Sequence, residues 1–253
     1  MIGATTLTSG RRVPVTWSPG HLITLSLVLV VGCDLPGTPK EADRPVPADQ
    51  VKDFSALYAT HCAGCHGADG KLGPAPPLND PIFLAIVPDE ELRRVISEGR
   101  SVTPAQKSLM PAFARDRGGP LTAAQVQVLA EGIKARWGGV APTGEPPPYL
   151  PPQETGDKDR GAKVFALACS ACHGDLGQGA EQAGAVNDST FLALISDQTL
   201  RRVVITGRGD LGMPVYSDPN WRSPEFKPLT SADVNDLVAL LRYWRQGASS
   251  DGK

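Results

Sequence analysis

Apolar positions fall at helical spacing in the same order twice along the chain. Leu92, Val95 and Ile96 mark one stripe at i, i+3, i+4, and Leu200, Val203 and Val204 mark a second. This is the period of a helix with one buried face. The first of these helices starts near Pro88 and the second near Asp197, and Gly99 and Gly207 stop them. Upstream the pattern predicts helices over about 49–64 and 157–171. Downstream, Thr122 with Gln125 and Thr230 with Asp233 read as capping boxes that open a last helix in each half. Those helices end near Gly138 and Gly247. No run alternates at strand period, so the predicted fold class is all-α.

The helical pattern recurs because the sequence does. "NDPIFLAIVPDEELRRVISEGR" (79–100) returns as "NDSTFLALISDQTLRRVVITGR" (187–208), and "LTAAQVQVLA" (121–130) returns as "LTSADVNDLV" (229–238), both at an offset of 108. Internal repetition on this scale means one folding unit written twice. The units are predicted over 50–138 and 157–247. Residues 139–156 between them are proline-rich, which excludes helix and central strand and favours an extended, semi-rigid link at ~3.1 Å per residue. A similar stretch, 34–49, precedes the first unit. Before it, Arg11 and Arg12 are followed by the apolar run "HLITLSLVLVVGC" (21–33). That run is shorter than the ~20 residues a spanning helix needs. Residues 1–33 therefore read as an export signal. "VVGC" (30–33) resembles a bacterial lipobox, in which Cys33 would be lipidated and 34–49 would tether the domains to a membrane. An ordinary cleaved signal, or a short anchor with an incidental cysteine, is the alternative.

Composition narrows the function. With 253 residues and 41% hydrophobic content the chain can bury two cores. Its 24 Pro and 27 Gly imply many turns. A net charge of −2, with no basic stripe, gives no sign of a nucleic-acid partner.

Of five cysteines, four fall into "HCAGCHG" (61–67) and "ACSACHG" (168–174), repeated at an offset of 107. Zinc needs four Cys or His ligands, and each motif supplies three at most; His61 precedes the first but has no counterpart in the second, where Ala168 stands. A redox dithiol prefers a helix N-terminus after a strand and leaves the following histidine unexplained. Cys-x-x-Cys-His is also the attachment signature of c-type haem. Cys62, Cys65, Cys169 and Cys172 would then form thioethers, and His66 and His173 would reach the iron. The two methionines beyond Met1 give an independent indication. Met110 in "LMPAF" and Met213 in "GMPVY" follow the histidines by 44 and 40 residues, and both precede a proline. A thioether suits haem iron as a sixth ligand, although filling core gaps is methionine's usual role.

On these motifs each half resembles a class I cytochrome c domain, and the pair resembles the dihaem cytochromes of the cytochrome c4 type. The resemblance implies two covalently bound haem c groups, each wrapped by a few helices, with the first and last helices crossing. "GAKVF" (161–165) matches the family's Gly-x-x-x-Phe/Tyr lead-in. In the first copy Phe54 replaces that glycine while Tyr58 keeps the aromatic place. The family also uses a proline carbonyl to hold the proximal histidine. Pro74, Pro76 and Pro77 offer one in the first copy, whereas "GAEQAGAV" (179–186) offers none, so the two haems are expected to differ in potential. Arg93, Arg94, Arg201, Arg202, Arg100 and Arg208 could pair with propionates or form a solvated face. Trp221, in an insert after Met213, could line a docking surface or cover the haem. His61 is expected at the surface. The implied function is single-electron transfer between redox proteins outside the cytoplasm, free-standing or as a subunit of a respiratory membrane complex. A peroxidase-like dihaem enzyme is the alternative, disfavoured by the matching methionines.

Overall fold

The computed structural model describes residues 44–73, 75–100, 110–140, 142 and 144–247. The apolar run, Cys33 and Pro74 lie outside the described residues. Residues from Pro47 onward form one compact unit that contains both copies of the repeat. Of the preceding unit only 44–46 are described, and they are exposed. Among the described residues the structure is helical, with isolated bridges and no named strand. No described helix is long and apolar enough to cross a membrane.

The first copy comprises α1 (Phe54–His61), α2 (Ala63–His66), α3 (Pro81–Ile86), α4 (Asp89–Glu98) and α5 (Ala123–Trp137). The second comprises α6 (Lys158–Ala168), α7 (Ser170–His173), α8 (Ser189–Ala193), α9 (Asp197–Thr206) and α10 (Ser231–Gly247). Helix α1 starts later than its pattern suggested. A 3-10 turn, Ala48–Gln50, precedes it, and the Asp53 side chain accepts from the Ala56 N–H and fixes the start. The short helices α3 and α8 carry no long stripe, yet both are capped alike. Asp80 accepts from Phe83 N and Asp188 from Phe191 N, each at 2.7 Å. Both capping boxes form as predicted, Thr122 with Gln125 and Thr230 with Asp233. In α4, Leu92 and Ile96 are buried, and in α9 Leu200 and Ile205. Burial of each such side chain stabilises by about 1.5–3 kcal/mol.

First and last helices cross in both copies, with their bulk exchanged. In α6, a Cβ on Gly161 would lie 2.2 Å from the Asp236 carbonyl oxygen and 3.1 Å from Leu240 Cβ, so α6 and α10 approach closely. In the first copy, Phe54 stands where Gly161 stands and Gly132 stands where Leu240 stands. A Cβ on Gly132 would lie 2.1 Å from the Phe54 ring. The crossing is kept in the first copy, with the small residue moved to the other helix. Phe54 and Tyr58 then pack edge-on against Trp137, and Phe165 packs against Trp244 at 5.2 Å in the second copy.

The proline-rich link departs from an extended spacer. Tyr149 is 2% exposed and belongs to the first core. Its ring meets Phe83 edge-on at 5.8 Å, and its hydroxyl accepts from Arg100. Its carbonyl accepts from Gln198 and Arg201 of α9. Proline content governs local backbone freedom, but one buried aromatic and one shared carbonyl fasten this segment to both copies.

Candidate haem-binding sites

In both copies the helix leading to the motif breaks at the first cysteine and restarts for one turn. Cys62 N–H donates to Tyr58 O at 2.9 Å, and Cys65 and His66 then donate to Cys62 O. The second copy repeats this with Cys169, Cys172 and His173. The paired cysteines at i, i+3 therefore share a helix side, with the histidine at i+4. All four thiols are free of disulfides. Burial pushes the Cys62 thiol up to about 11 and the Cys169 thiol up to about 12. These two are therefore protonated at neutral pH, opposite to the lowered thiols of redox dithiols. Among the described residues no three His, Cys, Asp or Glu side chains are grouped so as to hold a metal ion.

The histidines are oriented by carbonyls. His66 Nδ1 lies 3.2 Å from Pro76 O, and His173 Nδ1 lies 3.0 Å from Gly184 O. A carbonyl oxygen only accepts, so Nδ1 carries the proton and Nε2 keeps its lone pair. That is the tautomer an iron ligand requires. Burial, partly offset by the Pro76 bond and reinforced by Arg202, lowers the His66 pKa and favours the neutral ring. Of the three prolines available in the first copy, Pro76 supplies the carbonyl. In the second, a turn closed by Ala180 N–H to Ala183 O presents Gly184 instead. A backbone carbonyl needs no particular side chain, which is why the missing proline does not remove the bond.

The methionines sit on a matched backbone device. Arg100 and Met110 exchange two hydrogen bonds at 2.8 and 3.2 Å, and Arg208 and Met213 exchange two at 3.0 Å. Gly99 and Gly207 precede these pairs with φ of 74° and 67°. A Cβ on either would lie 2.2 or 2.6 Å from the methionine carbonyl oxygen. These glycines do more than stop a helix: positive φ and close approach bring each methionine strand back under it. Residues 101–109 between Arg100 and Met110 lie outside the described set.

The arginines divide by copy. Arg93 pairs with Glu90, and Arg94 with Glu91 and Glu98, all within α4. Arg201, at the position of Arg93, is 2% exposed and bonds Pro148 O, Tyr149 O and Ser231 Oγ. Arg202 reaches Pro77 O and lies 3.5 Å over the Phe83 ring. Arg208 pairs with Asp210. Trp221 is 73% exposed at φ 65°, while Arg222 beside it stacks on Phe226 and lies within electrostatic range of Cys169 and Cys172. His61 is half-buried against Phe113 rather than simply at the surface. Arg202 stands out in the sequence only as one of six arginines, and Tyr149 not at all; both act on residues far along the chain, and the one local sign is that Thr199 and Thr206 replace the glutamates that pair with Arg94.

Each copy thus offers two paired thiols, an imidazole with a free Nε2 lone pair and a thioether strand, a donor set that suits haem c. The family described as cytochrome c oxidase, cbb3-type, subunit III matches residues 49–131 and again 156–241. The cbb3-type cytochrome c oxidase subunit FixP of Bradyrhizobium sp. (strain ORS 278) is 32% identical over 166 residues, 63% of this chain and 52% of that protein. The cbb3-type subunit CcoP of Cereibacter sphaeroides is 29% identical over 194 residues, 74% of this chain and 58% of that protein. The cytochrome bc1 complex cytochrome c subunit of Mycobacterium bovis is 25% identical over 253 residues, 96% of this chain and 81% of that protein. The chain spans about half the length of the oxidase subunits it matches. Each matched segment holds one Cys-x-x-Cys-His and one methionine strand, and together they cover well over half of the sequence. The chain belongs to the cbb3-type cytochrome c oxidase subunit III family, as two cytochrome c domains in tandem.

Proposed function

We propose that this chain is a dihaem c-type cytochrome that passes single electrons between redox proteins on the extracytoplasmic side of a membrane, as a subunit or close partner of a respiratory complex. Cys62, Cys65, Cys169 and Cys172 hold the two haems covalently. His66 with Met110, and His173 with Met213, would hold the two irons, and the cytochrome domains run over 50–138 and 157–247. The observation that carries this reading is the matched pair of histidines whose Nδ1 protons are tied to carbonyls in both copies. When bound, haem supplies the one-electron iron couple. The chain's own residues fix the imidazole tautomer, and the Arg100–Met110 and Arg208–Met213 backbone pairs hold the methionines whose thioethers would serve as the second protein ligands. With two protein ligands to each iron, no position would remain for peroxide or oxygen, which favours a carrier over a peroxidase. Cys33 is the proposed lipid attachment point, with 34–49 as the tether.

Full-length protein matured in a host that attaches haem c tests this. We expect two covalent haems per chain, no carbon monoxide binding by the reduced protein, and carbon monoxide binding by Met110→Ala. Fewer than two haems, or carbon monoxide binding by the unaltered protein, would sink the carrier reading. In the same preparation Cys33→Ser should move the protein from the membrane to the soluble fraction.

A further inference from the structure

We propose that Arg202 of α9, in the second domain, is a positioning residue that sets the reduction potential of the first domain's haem. The inference rests on the axial role of His66 proposed above. Its guanidinium lies 3.5 Å over the Phe83 ring and donates to Pro77 O. Pro77 is the neighbour of Pro76, whose carbonyl holds His66 Nδ1. The second domain therefore places a positive charge behind the proximal histidine of the first and pins the peptide that orients it.

Two effects of Arg202 have the same sign. A fixed positive charge near the iron disfavours the ferric state, which carries one more positive charge than the ferrous. Competing for electron density on the same loop weakens the pull of its carbonyls on the Nδ1 proton, making the imidazole a poorer donor to ferric iron. Both raise the potential. The charge is held in place against its own desolvation, which draws the guanidinium down to about 10, with the Asp80 carboxylate in range as compensation. Arg100 and Arg208 are also in range and add positive charge.

The second haem has no equivalent. The repeat places Arg94 where Arg202 stands, and Arg94 is exposed and tied to Glu91 and Glu98. The loop around Gly184 is exposed, whereas Pro76 and Pro77 are half-buried. The second site has a cation of its own in Arg222, but on the cysteine side and from its own insert. The first potential is thus tuned across the domain interface and the second from within its domain.

The experiment is a spectroelectrochemical titration of the full-length dihaem protein, with haem content counted first. A Met110→His variant identifies which wave belongs to the first haem. Arg202→Gln should lower that wave by about tenfold in the one-electron equilibrium, about 59 mV, and leave the other in place. Arg202→Lys should retain most of the wild-type value. Asp80→Asn, which keeps the oxygen that caps α3, should shift the same wave upward, and Arg94→Gln should shift neither. An unmoved wave in Arg202→Gln, equal movement of both waves, a fall in Arg202→Lys as large as in Arg202→Gln, or a downward shift in Asp80→Asn would overturn the proposal. Should Arg202→Gln fail to fold, Asp80→Asn decides on the same pair. Loss of covalent haem in the unaltered protein would instead strike at the cytochrome assignment itself.

Discussion

At the residue scale the two sites are built from backbone as much as from side chains. Tyr58 is buried, and its hydroxyl donates to Gly67 O at 2.9 Å, closing the turn that follows His66. Burial raises its pKa to about 12 against an ordinary 10, with Cys62 and Asp69 adding to the shift. The neutral phenol is the form the fold favours. This contribution to stability is therefore complete below pH 10 and lost as the pH rises towards 12. Urea unfolding of the haem-free chain should show a loss of stability over that range. Tyr58→Phe should flatten it and cost about 1 kcal/mol at neutral pH through the lost hydrogen bond. A Phe variant with the same alkaline slope would assign the slope to another group.

At the element scale, the crossing of first and last helices depends on one small residue meeting one large one. Gly132→Leu should cost about 1–3 kcal/mol by overpacking against Phe54. Adding Phe54→Gly, which reproduces the Gly161–Leu240 arrangement, should return most of that loss in a double-mutant cycle. Additive costs in thermal melts would show that the two positions are not coupled. The main helices were legible because apolar stripes and capping boxes are local signals, and the repeat gave each a second reading. The break at Cys62, the late start of α1 and the short helices α3 and α8 were not. Each is decided by a single capping carboxylate or by a carbonyl from another turn, too small a signal to stand out in a sequence window. The candidate site residues stand out in the sequence for a related reason, since the thiols and imidazole keep one short spacing in both copies and the methionines recur at matching places.

At the scale of the whole molecule, identical sequence takes different roles. "LRRV" occurs in α4 and in α9, yet Arg93 and Arg94 make surface ion pairs while Arg201 and Arg202 are drawn into the contact with the other copy and the link. Their local partners differ, since Gln198, Thr199 and Thr206 stand where Glu90, Glu91 and Glu98 stand, and Arg201 and Arg202 bond instead across the tandem. Tyr149 joins the same contact from the link, with bonds to Arg100 on one side and to Gln198 and Arg201 on the other. Tyr149→Ala should cost about 3 kcal/mol by the cavity it leaves. It should also split a single calorimetric transition into two, one per domain. A single lowered transition would mean that Arg202 on Phe83 suffices to couple the halves.

The exchanged bulk at the helix crossings also bears on how such a chain reaches its structure. Tandem domains of one ancestry can trade equivalent segments while folding, a common failure of repeat proteins. Here α1 paired with α10 would set Phe54 against Leu240, and α6 paired with α5 would set Gly161 against Gly132. One wrong pairing collides and the other leaves a void. The Phe54–Gly132 and Gly161–Leu240 contacts thus act as a lock and key that sorts kin from kin, so that each newly made helix closes on its own domain.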